Sequence, residues 1–150
     1  MRIYLDANAI ILAMEGEVPA AEAMIGIMEH RSAGFAVVTS ELSLAEILVV
    51  PIRERDLPRI EVYVGLLARG EAGDTQIECR DVSRDVLLSA ARLRAAHPSL
   101  KLPDAIHLAT AERTGCSHII TGDKRLAAHA ALTVVDTGID DLSALLEQLP

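Results

Sequence analysis

The chain has 150 residues, 51% of them apolar and 24% charged, enough for one sizeable core and too few for two. With 14 Lys and Arg against 22 Asp and Glu, the net charge of −8 excludes a basic groove over the whole surface, so any nucleic-acid contact must be local. Tyr4, Phe35 and Tyr63 are the only aromatics, which argues against a base-stacking platform and leaves a phosphate-reading site permitted.

Short β-branched runs alternate with longer segments of helical period, the signature of βα units and a parallel sheet. In chain order the expected strands are 2–5, 35–39, 76–79, 117–120 and 132–135. The expected helices are 9–15, 19–32, 41–50, 57–69, 84–96, 104–114, 123–129 and 140–148. Pro19, Asp56, Ser83 and Pro103 supply start signals, and Gly34, Gly70, Pro98 and Gly115 supply stops. Residues 51–59 read as a charged irregular piece carrying Arg53, Arg55 and Arg59, and Gly70–Gly73 as a loop. Cys79 and Cys116 stand apart from any C-x-x-C pair, so neither a zinc knuckle nor a disulfide framework is expected. The N-terminus has no signal-peptide pattern and no run approaches a membrane span; a reducing cytoplasm is the expected location.

Four acids stand in apolar surroundings. Asp6 ends the strand Ile3-Tyr4-Leu5, Glu46 interrupts the apolar helix 42–50, Asp104 opens a helix, and Asp123 follows Ile119-Ile120-Thr121-Gly122. Asp6 and Asp123 fall at the carboxyl ends of strands, the edge where open parallel sheets bind ligands. Each acid also has an ordinary reading: Asp6 as a helix cap, Glu46 paired with a buried Arg, Asp104 as a first-turn acid and Asp123 as a turn residue. If the four converge, adjacent pairs within about 5 Å repel by roughly 3 kcal/mol at an effective dielectric near 20. Oxygen-only ligation then selects a hard ion such as Mg²⁺ or Mn²⁺, and with it metal-assisted attack on a phosphodiester. Asn8 is read as the cap of the helix after it, and Thr121 as a cap or as an orienter of Asp123. His107, one helical turn beyond Asp104, is read as a core histidine with one buried hydrogen bond, and Lys124 and Arg125 as a solvated first turn.

L-D-A-N at 5–8, the isolated Glu46, L-P-D-A-I-H-L-A-T-A at 102–111 and I-I-T-G-D at 119–123 together resemble the PIN domain, and within it the VapC-type toxins of toxin–antitoxin pairs. The resemblance runs from about residue 2 to 142. It implies a single domain over 1–150, with a three-layer α/β/α fold around a mostly parallel sheet of about five strands. It further implies a Mg²⁺- or Mn²⁺-dependent endoribonuclease that leaves a 5′-phosphate. Asp6, Glu46, Asp104 and Asp123 match the family's acidic quartet, with Asn8 and Thr121 as polar accessories and Asp6, Asp104 and Asp123 as metal ligands. The implied partners are an RNA substrate, a small antitoxin whose tail covers the acidic pocket, and a second copy of the chain, with no membrane. The aliphatic stretches 42–50 and 60–67 are the surface such a dimer needs.

Two other classes fit less well. A receiver domain wants adjacent acids after the first strand and an Asp ending a mid-chain strand, where this chain has Asp6 alone and Thr39-Ser40. A haloacid-dehalogenase phosphatase wants Asp at position 8, which is Asn8. The alternative retained is a catalytically silent PIN-like binding module.

Overall fold

The computed structural model describes residues 1–68 and 77–150. Strands β1 (Arg2–Leu5), β2 (Ala36–Ser40), β3 (Ile77–Arg80), β4 (His118–Thr121) and β5 (Thr133–Asp136) form one parallel sheet in the order β3-β2-β1-β4-β5. β2, β4 and β5 begin and end one residue later than the sequence suggests, and β3 runs one residue further, to Arg80. Polar ends such as Ser40, paired with Arg80, and Thr121, paired with Asp136, continue the ladder because the pairing is made by backbone groups. The chain steps outward from β1 through β2 to β3, then returns to lay β4 on the other side of β1. Strand order therefore reverses between β1 and β4, and a crevice opens beyond their carboxyl ends.

The alternation along β1 divides the interior in two. Ile3 and Leu5 pack with α1 (Ala7–Glu15), α2 (Val18–Glu29) and α8 (Ile139–Glu147). Tyr4, with Val38 and Ile119, packs with α6 (Arg84–Ala96) and α7 (Leu102–Arg113). This is the expected three-layer α/β/α arrangement, with a sheet buried on both faces as parallel sheets require.

The main departures lie between β2 and β3. The helix expected over 41–50 is two, α3 (Glu41–Ile47) and α4 (Val49–Glu54), followed by α5 (Leu57–Leu66). The piece read as irregular from residue 51 is thus helical to Glu54. Pro51 has no N–H to give the carbonyl four residues back, so the helical ladder breaks near Leu48; as the third residue of α4, Pro51 costs the new helix nothing. α7 starts at Leu102, two residues early, with Pro103 at its second position. Residues 124–128 form a 3₁₀ turn (Lys124–Ala128). The Gly70–Gly73 loop, residue 69 at the end of an expected helix and residue 76 at the start of an expected strand lie outside the described residues.

Where β1 ends, the buried Thr39 hydroxyl donates to the Leu5 carbonyl at 2.8 Å and lies 2.8 Å from Ser43 Oγ. It fastens the carboxyl end of β1 to β2 and to α3, the helix that carries Glu46. Thr39→Val keeps the volume and removes these bonds, so it is expected to cost about 1–2 kcal/mol. Urea unfolding should show a lower midpoint with an unchanged slope; an unchanged midpoint would refute this role for Thr39.

Candidate active site

Asp6 follows β1 with an extended backbone, and α1 starts at the next residue. Its carboxylate accepts the Ala9 N–H at 2.8 Å, so Asp6 is the cap of α1. Asn8, expected in that role, is instead an exposed residue inside the helix, because the chain turns from strand to helix at Asp6 with no intervening loop. Burial pushes the Asp6 carboxyl above its ordinary pKa, against the opposing pull of the Thr121 hydroxyl and the Ala9 N–H.

Glu46 reaches the same crevice from α3. Its Oε2 accepts from His107 Nε2 at 2.9 Å, and His107 Nδ1 lies 2.8 Å from the Tyr4 hydroxyl. Tyr4 Oη is in turn 2.9 Å from Ser40 Oγ. Burial holds the Tyr4 phenol far above its usual range, so it stays neutral. His107 therefore makes two hydrogen bonds where the sequence suggested one. With both ring nitrogens engaged, the imidazole is locked and one oxygen of Glu46 is held in place.

Asp104 lies in the first turn of α7. Burial and the negative charge of Asp123 raise its pKa, while His107, Lys101 and Arg125 oppose the shift. Asp123 behaves in the opposite way. Its carboxylate accepts from Arg125 Nε at 2.8 and 3.1 Å, forms an ion pair with Arg125 Nη2, and caps the 3₁₀ turn through the Arg125 N–H at 3.0 Å. These bonds hold its pKa down at about 2. The sequence reading left Arg125 solvated; it is exposed and also paired. Lys124 sits 3.3 Å from Asp136. Thr121 neither caps the turn nor holds the Asp123 carboxylate: its hydroxyl accepts the Asp123 backbone N–H at 3.0 Å.

Asp6, Asn8, Glu46, Asp104, Thr121 and Asp123 all line one cavity of about 300 Å³ at the β1/β4 switch point, together with His107, Lys101 and Arg125. Among the described residues, no three Asp, Glu, His or Cys side chains are grouped closely enough to hold one ion. The reason is visible in the pairings: Asp123 is turned onto Arg125 and Glu46 onto His107. The chemistry of the donors nonetheless fits a hard divalent cation, since all four acids and both accessories offer oxygen and Asp104 and Asp123 already repel one another. Sequence reasoning missed Tyr4, Ser40 and Lys101. Tyr4 carried one signal, a polar tip set between Ile3 and Leu5; Lys101 carried none.

The PIN-domain family model matches residues 3–132. This chain belongs to the PIN-domain family. No curated protein matches the sequence. Among solved structures, the PIN domain is similar to a toxin–antitoxin complex from Klebsiella pneumoniae, at 23% identity and TM-score 0.64 over 91% of this chain and 98% of that one. It is similar to VapBC2 from Rickettsia felis bound to a promoter DNA fragment, at 12% identity and TM-score 0.66 over 91% of this chain and 98% of that one. It is also similar to the sarcin–ricin-loop-cleaving toxin VapC20 of Mycobacterium tuberculosis, at 16% identity and TM-score 0.63 over 87% of this chain and 98% of that one.

At Asp6 and Asp104 the raised folded-state pKa means that the native PIN domain keeps protons there that the unfolded chain has already released. Asp6 and Asp104 thus weaken stability as pH rises above the ordinary carboxylate range, whereas Asp123, held at about 2, contributes stability that is lost only as pH falls toward 2. Asp104, which lacks a hydrogen-bond partner among the described residues, is the least compensated. In EDTA at pH 7, Asp104→Asn is expected to raise the Tm, with the gain shrinking toward pH 4 as the wild-type carboxyl protonates. A lower Tm for the variant in thermal melts across this range would contradict the electrostatic account.

Proposed function

We propose that this PIN domain is a metal-dependent endoribonuclease, the VapC-type toxin of a toxin–antitoxin pair. The observation that carries the proposal is the convergence of Asp6, Glu46, Asp104 and Asp123 on one cavity at the sheet's switch point. Family membership and the likeness to toxin structures support it. Asp6, Asp104 and Asp123 are assigned to hold Mg²⁺, with Mn²⁺ as a substitute. When bound, such an ion lowers the pKa of water and offsets charge on a phosphodiester.

The chain's own residues do the rest. Asp6, fixed by the Ala9 N–H at 2.8 Å, is the preorganised ligand. Asp123, paired with the exposed Arg125, would have to give up that partner to hold the ion. Glu46 has one oxygen occupied by His107, so its other oxygen is the one free to take a proton from an attacking water. Asn8 and Thr121 supply neutral polar atoms at the cavity wall.

The assigned partners are RNA, an antitoxin that lays a cationic side chain into the acidic cavity, and a second copy of the chain. Val49, Ile52, Val62 and Val64, exposed on α4 and α5, are the apolar surface available to the dimer. No described helix is long and apolar enough to cross a membrane, and the assigned location is the cytoplasm. A silent binding module has one observation in its favour, the engagement of Asp123 by Arg125 and of Glu46 by His107.

Cleavage of end-labelled total RNA separates the two readings. The nuclease gives discrete cuts with 5′-phosphate ends in Mg²⁺ or Mn²⁺, none in EDTA, and a loss on the order of a hundredfold or more in Asp104→Asn. Metal-independent cuts, full activity in the variant, or no cleavage of any RNA class would overturn the proposal.

A further inference from the structure

Two further cavities adjoin the acidic one, and they differ in charge. The first continues past Asn8 and Ile11 to Glu15, Gly16, Gly122 and Thr137; it is an open groove of about 510 Å³, and no Lys or Arg among the described residues lines it. The second, of about 130 Å³, shares Lys101, Asp104, Asp123 and Arg125 with the acidic cavity and extends to Ser99 and His129. Lys101 and Arg125 are the only Lys or Arg among the described residues that line the acidic cavity, and both stand on this second side. Arg125 reaches the acids directly through its ion pair with Asp123, and Lys101 lines the same wall.

Among the described residues, these two openings are the ones that share lining with the acidic cavity and could take a single strand of RNA out of it. The groove past Glu15 offers a phosphate the neutral Asn8 and Thr137 side chains and a carboxylate that Arg59 already pairs, with no Lys or Arg in its lining among the described residues. The recess beside Asp104 sets Lys101, Arg125 and the Ser99 hydroxyl against the carboxylates of Asp104 and Asp123, both assigned to hold the ion, so its cations are the ones left to meet a phosphate. We infer that Ser99, Lys101 and Arg125 form a seat for the RNA phosphate next to the scissile one, so that the strand leaves over the α6–α7 connection and the Asp123 turn. The inference rests on the ribonuclease reading and adds to it a direction for the substrate.

Arg125 is built for exchange between partners. Its side chain is 74% exposed, so its pair with Asp123 is a surface ion pair, screened by water and easily exchanged. Its guanidinium fork fits phosphate as well as it fits carboxylate. Once Asp123 turns to a cation, Arg125 is released beside the recess, and Lys101 supplies a second, point-like charge. RNA binding and metal binding are then coupled through one side chain.

The test is fluorescence anisotropy with a labelled single-stranded RNA oligonucleotide in Ca²⁺, which suppresses turnover, over a range of salt concentrations. It compares wild type with Lys101→Met, Arg125→Met and, as a control that removes a charge outside both cavities, Lys124→Met. Lys101→Met and Arg125→Met are each expected to weaken binding about tenfold and to lower the salt slope by about 0.7, with Lys124→Met within about twofold of wild type. In a separate Mn²⁺ titration without RNA, Arg125→Met should bind the ion more tightly, by up to about fivefold, because Asp123 has lost its competing partner. Wild-type affinity and slope in both cavity variants, or an equal loss in Lys124→Met, would overturn the seat while leaving the nuclease standing. No RNA binding by the wild type would overturn the nuclease reading and the seat together.

Discussion

Mutual repulsion among carboxylates at the β1/β4 edge is the constraint around which this PIN domain is arranged. Parallel pairing of β1 with both β2 and β4 leaves Asp6 and Asp123 at neighbouring strand ends, and α3 and α7 bring Glu46 and Asp104 to the same cavity. The chain meets each acid's demand separately: a backbone N–H for Asp6, His107 for Glu46 and Arg125 for Asp123. Asp104 is left to the field of its neighbours. Three acids satisfied in three directions are also three acids held apart, which is why the described residues alone do not present a closed set of metal ligands.

The compensations differ in cost to undo, and that difference orders their roles. Asp6 and the Tyr4–His107–Glu46 chain are tied into the buried interior through β1, β2 and α7 and would be expensive to move. The Asp123–Arg125 pair sits at the surface and is inexpensive to break. A rigid floor with one exchangeable wall suits the proposed site, which must admit both a cation and a polyanion on a chain of net charge −8.

Much of this was legible in the sequence, for physical reasons that can be named. Asp6 and Asp123 end apolar strands, and parallel topology fixes what lies beyond such ends; Glu46 breaks an apolar helical face; all three positions were therefore visible as anomalies. The quartet and both accessories do line a single cavity. The sequence offered both Asp6 and Asn8 as the cap, because an acid and an amide two residues apart are equally good caps, and only the backbone at Asp6 decides for it. The helix break near Leu48 was displaced to Pro51, because a proline acts on the carbonyl four residues before it. The Tyr4–His107–Glu46 chain joins residues far apart in sequence through folded space, and Lys101 is placed by the connection into α7; neither leaves a local pattern to read.

Direct binding of Mn²⁺ to the RNA-free protein, followed by electron paramagnetic resonance, tests the central claim most closely, because it asks whether the crevice acids act together. The account predicts saturable binding to the wild type that is lost in Asp6→Asn and in Asp123→Asn, with both variants folded. No binding to the wild type at millimolar Mn²⁺, or undiminished binding in both variants, would mean that the protein's own cations complete the neutralisation of these acids, and would contradict it.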